Sequence, residues 1–268
     1  MTNKSRQPVK PVTRSFLRGR PVDERTAGQA AGFFGVLILI SVLTFLVSSA
    51  MGMQNSVLRI GANALIVIVV MLIMYSNAIS RGTDAVARGE ILYQRQEKGQ
   101  SFTAAERAVC FHPLKGYVTG FLGTLPLLIC AIALAVTAQR QTTGIGALPG
   151  WLSSYQRRSE IGDALVAYAV HEGITLEEVL RIIVRMAIMP FVTMVGSENR
   201  DGLLMVERLS PLLVLLPALA YGTGYLRGPM ERTKVHTGIA QSKRDRARKE
   251  RRERKARAAK PRTPQQLN

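Results

Sequence analysis

The longest stretches without Asp, Glu, Lys or Arg decide what this chain can become. They lie between Arg25 and Arg59, between Arg59 and Arg81, and between Lys115 and Arg140, and hold 33, 21 and 24 residues. A helix rises about 1.5 Å per residue and the hydrocarbon of a bilayer is about 30 Å thick, so about 20 mostly apolar residues make one crossing. The first gap accommodates a helix near residues 32–51 and a turn at Gln54 and Asn55. The second gap supplies the return, and the two helices are expected to form a hairpin. A fourth window, residues 209–226, is uncharged over 18 residues, with Pro211 in its expected first turn and Pro217 inside, where a kink is predicted.

A fifth apolar stretch, residues 179–195, carries Arg181 and Arg185. Each arginine at a helix centre costs about 2.5 to 3.5 kcal/mol on insertion scales, so this stretch is read as non-spanning. Parity agrees. With four crossings, the seven Lys/Arg of the N-terminal arm, the six of the loop from Arg81 to Lys115 and the fifteen of the tail share one side. The other side receives Arg59 and a long loop with seven Lys/Arg against eight Asp/Glu. A fifth crossing would export the most basic segment, against the positive-inside rule. The first apolar run exceeds the 7 to 15 residues of a signal-peptide core, which reads as a retained span.

The expected fold class is therefore all-α: a polytopic helical membrane protein with four transmembrane helices, an interfacial amphipathic helix and a basic C-terminal tail. Its segments are a basic arm (1–29), a transmembrane hairpin (30–80), a helical loop (81–115), a third span (116–139), a long loop (140–208), a fourth span (209–226) and the tail (227–268). Both ends are expected in the cytoplasm, and the arginine asymmetry suggests a bacterial inner membrane.

Within the first loop, Thr83 and Asp84 are expected to open one short helix that Gly99 stops, and Thr103 with Glu106 forms a capping box opening another. The long loop begins with turn residues Gly144, Gly146, Pro149 and Gly150, followed by Trp151 and Tyr155, which suit a membrane surface, and by a helix over residues 161–170. A second capping box, Thr175 to Glu178, opens a helix over residues 175–190. There Leu176, Val179, Leu180, Ile183 and Met186 gather on one face and Glu177, Arg181 and Arg185 on another. That helix is expected to lie in the interface or over the mouth of the bundle, ended or kinked by Pro190.

Small residues recur at four-residue spacing: Gly28 with Gly32, Gly116 with Gly120, and Gly224 with Gly228; Gly123 and Thr124 extend the small face of the third helix. Such spacing lets helices approach closely, and Gly116, Gly120, Gly123 and Gly224 are read as helix-packing positions within one chain. Gly222-Thr223-Gly224 and Gly144-Ile145-Gly146 lack the spacing and the Lys-Ser/Thr of phosphate loops. His112, His171 and His236 are scattered, and His171 with Glu172, Glu177 and Glu178 lacks a metal-binding arrangement. No cofactor, metal or catalytic residue is assigned. Cys110 and Cys130 fall at different depths and do not suit a disulfide. The spans contain no ionisable group of the kind that couples transport to ions; Ser41, Thr44, Asn63, Ser76, Asn77 and Thr124 are read as bonding across helices.

Residues 243–262 hold twelve Lys/Arg against three Asp/Glu, with no aromatic. Without an apolar face, the segment is expected to be a solvated helix ending before Pro261 or a disordered tail. Lys243, Arg244, Arg246, Arg248, Lys249, Arg251, Arg252, Arg254, Lys255 and Arg257 are the expected contacts to anionic lipid headgroups or to RNA. Lipid is preferred because no aromatic is present for base stacking. The leading functional expectation is a non-enzymatic accessory or scaffold protein that works through the bilayer, anionic lipid and another membrane or cytoplasmic protein. The alternatives are a component of a transporter or channel, and a ribosome or RNA tether.

Overall fold

The computed structural model describes residues 11–50, 55–138, 176–196 and 199–259. Its helices are α1 (Thr26–Ala50), α2 (Ser56–Glu97), α3 (Ala104–Ala108), α4 (Lys115–Thr137), α5 (Leu176–Ala187), α6 (Met189–Val195), α7 (Arg200–Leu226) and α8 (Gly228–Ala259), with no strand among the described residues. Four of them, α1, α2, α4 and the stretch beginning with α7, are long and apolar enough to cross a membrane. The helix expected over 161–170, the capping box at Thr175, and Trp151, Tyr155 and His171 lie outside the described residues.

Several boundaries differ from the sequence expectation for identifiable reasons. No helix starts at Thr83. α2 runs unbroken through it, because the Thr83 hydroxyl donates to the Ile79 carbonyl one turn back (2.8 Å) instead of capping a new helix. Asn55 caps the start of α2 by accepting from the Val57 amide (3.0 Å), and Gly99, at φ +72°, receives the chain as it leaves the other end. At 42 residues α2 is about 63 Å long, roughly twice the hydrocarbon thickness, so its second half projects well beyond any span. α3 opens with the expected capping box at Thr103 and Glu106.

α7 begins at Arg200, well before residue 209, with Asn199 accepting from the Gly202 amide (2.9 Å). Pro211 and Pro217 both fall inside it. The charged residues that suggested a loop are accommodated because Glu207 is buried against two arginines.

The spans are ordered α1, α4, α7, α2 around the bundle, and α6 fills the gap between α2 and α1. The expected packed hairpin of α1 and α2 is thus splayed. The two barely touch, joined by the Ser48 hydroxyl donating to Asn63 Oδ1 (3.0 Å). One apolar cluster gathers Phe33, Leu37, Met74, Ala78, Tyr221 and Tyr225; the other gathers Ala131, Leu134, Val184, Ile188 and Val214. Phe33 meets Tyr221 edge-on with centroids 4.9 Å apart.

α5 and α6 are inserted among the spans. The chain breaks at Ile188, which is 1% exposed, and Pro190 sits in the first turn of α6, where its missing N–H costs nothing. α5 packs against α4 and α1, while α6 packs against α2 and α1. The polarity of α5 is inverted relative to a helix lying on a soluble surface. Arg181 and Val184 point inward, whereas Val179, Ile182 and Ile183 are exposed.

α8 follows α7 across the near-helical residue Arg227 and runs alongside the projecting half of α2 in the same direction. Gly228 abuts Gly82, and eight residues further along both helices Glu90 meets His236.

Candidate functional site

Gly116, Gly120, Gly123 and Gly224, expected to be packing positions, lie at close helix crossings. A Cβ added at Gly224 would run into the Tyr75 carbonyl, and one at Gly116 into Tyr225. At Gly120 it would lie 3.1 Å from the Ala218 carbonyl, and at Gly123 2.6 Å from Phe33. Gly28 and Gly32 differ. Nothing approaches within 4 Å of either, because the packed face of α1 is that of Ala30, Phe33 and Leu37. Gly222-Thr223-Gly224 is helical, with Gly222 pressed against the Tyr117 ring.

Three buried charge clusters tie distant segments together. In the first, Lys115 at the start of α4 is 2% exposed, and its ammonium donates to Asp23 (2.6 Å) and to the carbonyls of Ala108 (3.3 Å) and Val109 (3.5 Å). Three donors find three acceptors, which is what makes a buried lysine tolerable. Burial pushes the Asp23 carboxyl upward, but bonds from Lys115 and Thr26 outweigh it and hold the group below its ordinary 3.8.

The pair fixes an N-terminal strap. The Leu17 amide donates to the Gly89 carbonyl (3.2 Å) and the Gly19 amide to the Phe111 carbonyl (3.0 Å), while Phe16 packs edge-on to Phe111. Beneath the strap Cys110 is fully buried. Burial raises its thiol above the ordinary range despite the nearby cations Lys115, Arg107 and Arg88.

In the second cluster, Glu90 on the projecting half of α2 receives Arg232 Nε (3.0 Å) and His236 Nε2 (2.8 Å), both from α8. His236, one of three histidines scattered along the sequence, is 7% exposed and pinned here. In the third, Glu207 of α7 accepts from Arg181 Nε (2.9 Å) and Arg185 Nε (2.7 Å), and Glu177 holds the far side of Arg181 (2.6 Å). Among the described residues, the two arginines of this cluster are matched by two glutamates.

Of the span side chains expected to bond across helices, Asn63 does so, whereas Ser41, Thr44 and Thr124 bond within their own helices because a carbonyl one turn back lies within reach of each hydroxyl. Asn63 Oδ1 accepts from Ser48 and from Thr193 (2.8 Å), joining α1, α2 and α6. Ser76 and Asn77 face outward. A cavity of about 50 Å³ between the spans is lined mainly by apolar side chains, among them Leu37, Val67, Leu127, Ile188 and Val214. No group of three His, Cys, Asp or Glu side chains is placed to hold a metal among the described residues.

The basic residues Lys243, Arg244, Arg246, Arg248, Lys249, Arg251, Arg252, Arg254 and Lys255 are all exposed on α8, which also includes Arg257. No family model, no curated protein and no solved structure matches this chain. Its chemistry must therefore be read from these residues.

Asp23, Glu90 and Glu207 escaped the sequence reading, yet one of them left a trace. Gly82, Ala85, Val86 and Gly89 continue a small, apolar helical face past Arg81, and Glu90 flanks that face, so a buried partner was inferable there. Asp23 and Glu207 pair with residues remote in sequence and gave no local signal.

Proposed function

We propose that this chain is a non-enzymatic accessory or scaffold protein of a cell membrane, a bacterial inner membrane by its arginine asymmetry, with both basic ends on the cytoplasmic side. The observation that carries the reading is the use of its buried charge. Each cluster joins two or more segments of the chain at hydrogen-bond distance, as cross-braces do. A platform that presents surfaces needs that rigidity.

In this reading the chain crosses four times, and α5 and α6 form a re-entrant pair descending from the outer side. The inverted polarity of α5 supports this. Exposing Val179, Ile182 and Ile183 while turning two arginines inward suits a lipid surrounding, where neutralised charge faces protein. Arg20, Arg25, Arg81 and Arg227 stand near the inner ends of the spans, within reach of anionic headgroups. The strap, α3 and the projecting half of α2 form the partner-facing layer.

Ion flux across proteoliposomes, paired with crosslinking in native membranes, tests the proposal. The expected result is flux equal to that of protein-free vesicles and a crosslinked partner of fixed stoichiometry through the cytoplasmic layer. Protein-dependent flux would replace the scaffold reading with the transporter or channel one.

A further inference from the structure

Between the strap and α3 lies a depression of about 390 Å³ that gathers cations without acids. Arg18 and Arg20 come to it from the strap; Phe102, Ala104, Arg107 and Ala108 come from the other side. The backbone beneath is fixed. The Gly19 amide donates to the Phe111 carbonyl (3.0 Å) and the Arg20 amide to the Ala108 carbonyl (3.4 Å), so the strap lies flush on the chain that leaves α3. That approach requires a residue without a side chain between the two arginines. A Cβ at Gly19 would strike the Cys110 carbonyl and come within 2.8 Å of the Ala108 carbonyl. Arg107 reaches across to donate its Nε to the Arg18 carbonyl (3.5 Å), which leaves its two terminal amino groups available.

The acids nearest in sequence do not balance this charge. Glu106 accepts from the Thr103 amide (2.9 Å) and meets Arg95 (3.6 Å), Asp23 holds Lys115 (2.6 Å), and Glu24 is exposed outside the lining. Among the described residues no carboxylate lines the depression, and the side chains of Arg18 and Arg20 have no protein partner. Guanidiniums brought together in this way repel one another, and an anion placed among them offsets the repulsion.

We infer that this depression binds a phosphomonoester group. Such a group carries about −1.5 to −2 charges at pH 7 and three terminal oxygens, which suits three guanidiniums. Each guanidinium is a planar fork that meets two oxygens at once. A carboxylate has two oxygens and a single charge, so one fork saturates it and the other cations stay unmatched. The volume falls within the usual range of small-molecule sites, about 300 to 1,000 Å³, so the organic part of the ester has room beside the Phe102 ring. Ala108 also ties the depression to the membrane. Its carbonyl receives Lys115 Nζ (3.3 Å), and Lys115 opens α4, one of the four helices able to span. The same chemistry is therefore offered to a lipid headgroup and to a soluble ester. The inference goes beyond the scaffold reading and does not depend on which side of the membrane this layer faces.

The test uses the full-length chain in nanodiscs at about 0.15 M salt, where diffuse attraction is screened beyond about 8 Å. In discs of phosphatidylcholine, phenyl phosphate is titrated by calorimetry, with benzoate as the carboxylate control. In discs that also contain phosphatidic acid and phosphatidylglycerol, native mass spectrometry records which lipid the protein retains; the first ends in a phosphomonoester, the second in a diester. Two charge-matched variants are compared with the unmodified chain: Arg18→Gln with Arg20→Gln, and Arg244→Gln with Arg248→Gln on α8. All four side chains are exposed, so both variants should keep the fold, which their melting temperatures in the same discs check. The expected result is binding of phenyl phosphate or retention of phosphatidic acid by the unmodified chain. The strap variant should weaken it at least about 10-fold, as loss of hydrogen bonds between charged groups does, and the α8 variant less than about 2-fold. Phenyl phosphate binding assigns a soluble source, and retention of phosphatidic acid without it assigns the lipid; either supports the inference. Failure of both probes, equal weakening by the two variants, or affinity for benzoate equal to that for phenyl phosphate overturns it. So does a strap variant that loses phosphatidic acid and phosphatidylglycerol equally. Loss of this inference leaves the scaffold proposal standing, since flux and crosslinking test that separately.

Discussion

Tyr225 sits at a junction of the molecule, with its ring stacked 5.3 Å from Phe111 and its edge against Gly116, yet its hydroxyl is buried without a partner among the described atoms. An unsatisfied buried hydroxyl costs about 1 to 3 kcal/mol. Tyr225→Phe should therefore leave the melting temperature unchanged or raise it, whereas Tyr225→Ala, which removes the stacked ring, should lower stability by about 3 to 5 kcal/mol; thermal unfolding in detergent reads both. Asp23 makes the opposite case. Its carboxyl is held below the ordinary value, so its contribution is present above the unfolded pKa near 3.8 and fades as pH falls through the lower folded value. Stability should be indifferent to this group between pH 5 and 7, taking about one unit of margin above 3.8. Asp23→Asn should cost about 3 to 5 kcal/mol in that range, because it strands Lys115 inside.

Among the elements, α7 is the one most others lean on, and it permits this by omitting side chains where they approach. Gly224→Leu should separate α7 from α2 and prevent a stable fold in detergent, while Gly28→Leu, with nothing within 4 Å, should be tolerated. α5 depends on its charges. Glu207→Gln should destabilise by about 3 to 5 kcal/mol, and replacing Arg181, Arg185 and Glu207 together by methionines should recover most of that loss; a thermodynamic cycle over these variants measures the difference. Which elements could be read from sequence follows from how their signals arise. The spans, Gly99 and the Thr103 capping box are set by local composition and spacing. The start of α7 and the packing of α5 among the other helices are set by Glu207 meeting Arg181 and Arg185 from another part of the chain, and an unpaired charge in a sequence looks like the end of a span until its counter-charge is known. The polar and glycine contacts divide the same way: spacing marks Gly116 and Gly224, but nothing local tells them from the open Gly28.

For the whole molecule, the proposed topology makes a mixed forecast for labelling in intact cells. Cysteines introduced at Ser242 and Gln100 should resist a membrane-impermeant maleimide added outside and react after permeabilisation. One at Ile182, facing lipid in this topology, should react slowly under both conditions. Labelling of the Ser242 position from outside would invert the orientation. Prompt labelling at Ile182 would return α5 to the membrane surface. Native Cys110, buried with its thiol held protonated, should stay silent throughout, so it need not be removed.

The strap carries a last consequence, for the order in which the molecule is made. The Val12 amide donates to the Thr237 hydroxyl (3.0 Å), a bond between positions 225 residues apart. Ribosomes add about 5 to 20 residues per second, so the beginning of the chain waits on the order of 10 to 45 seconds for the residue that secures it. Through that interval Leu17 and Gly19 can rest against α2 and the loop before α4, but the strap at Val12 stays unfastened until Thr237 has been added. A partner that recognises the loose strap would bind only copies not yet grown past Thr237; one that recognises the fastened strap would bind only those grown beyond it.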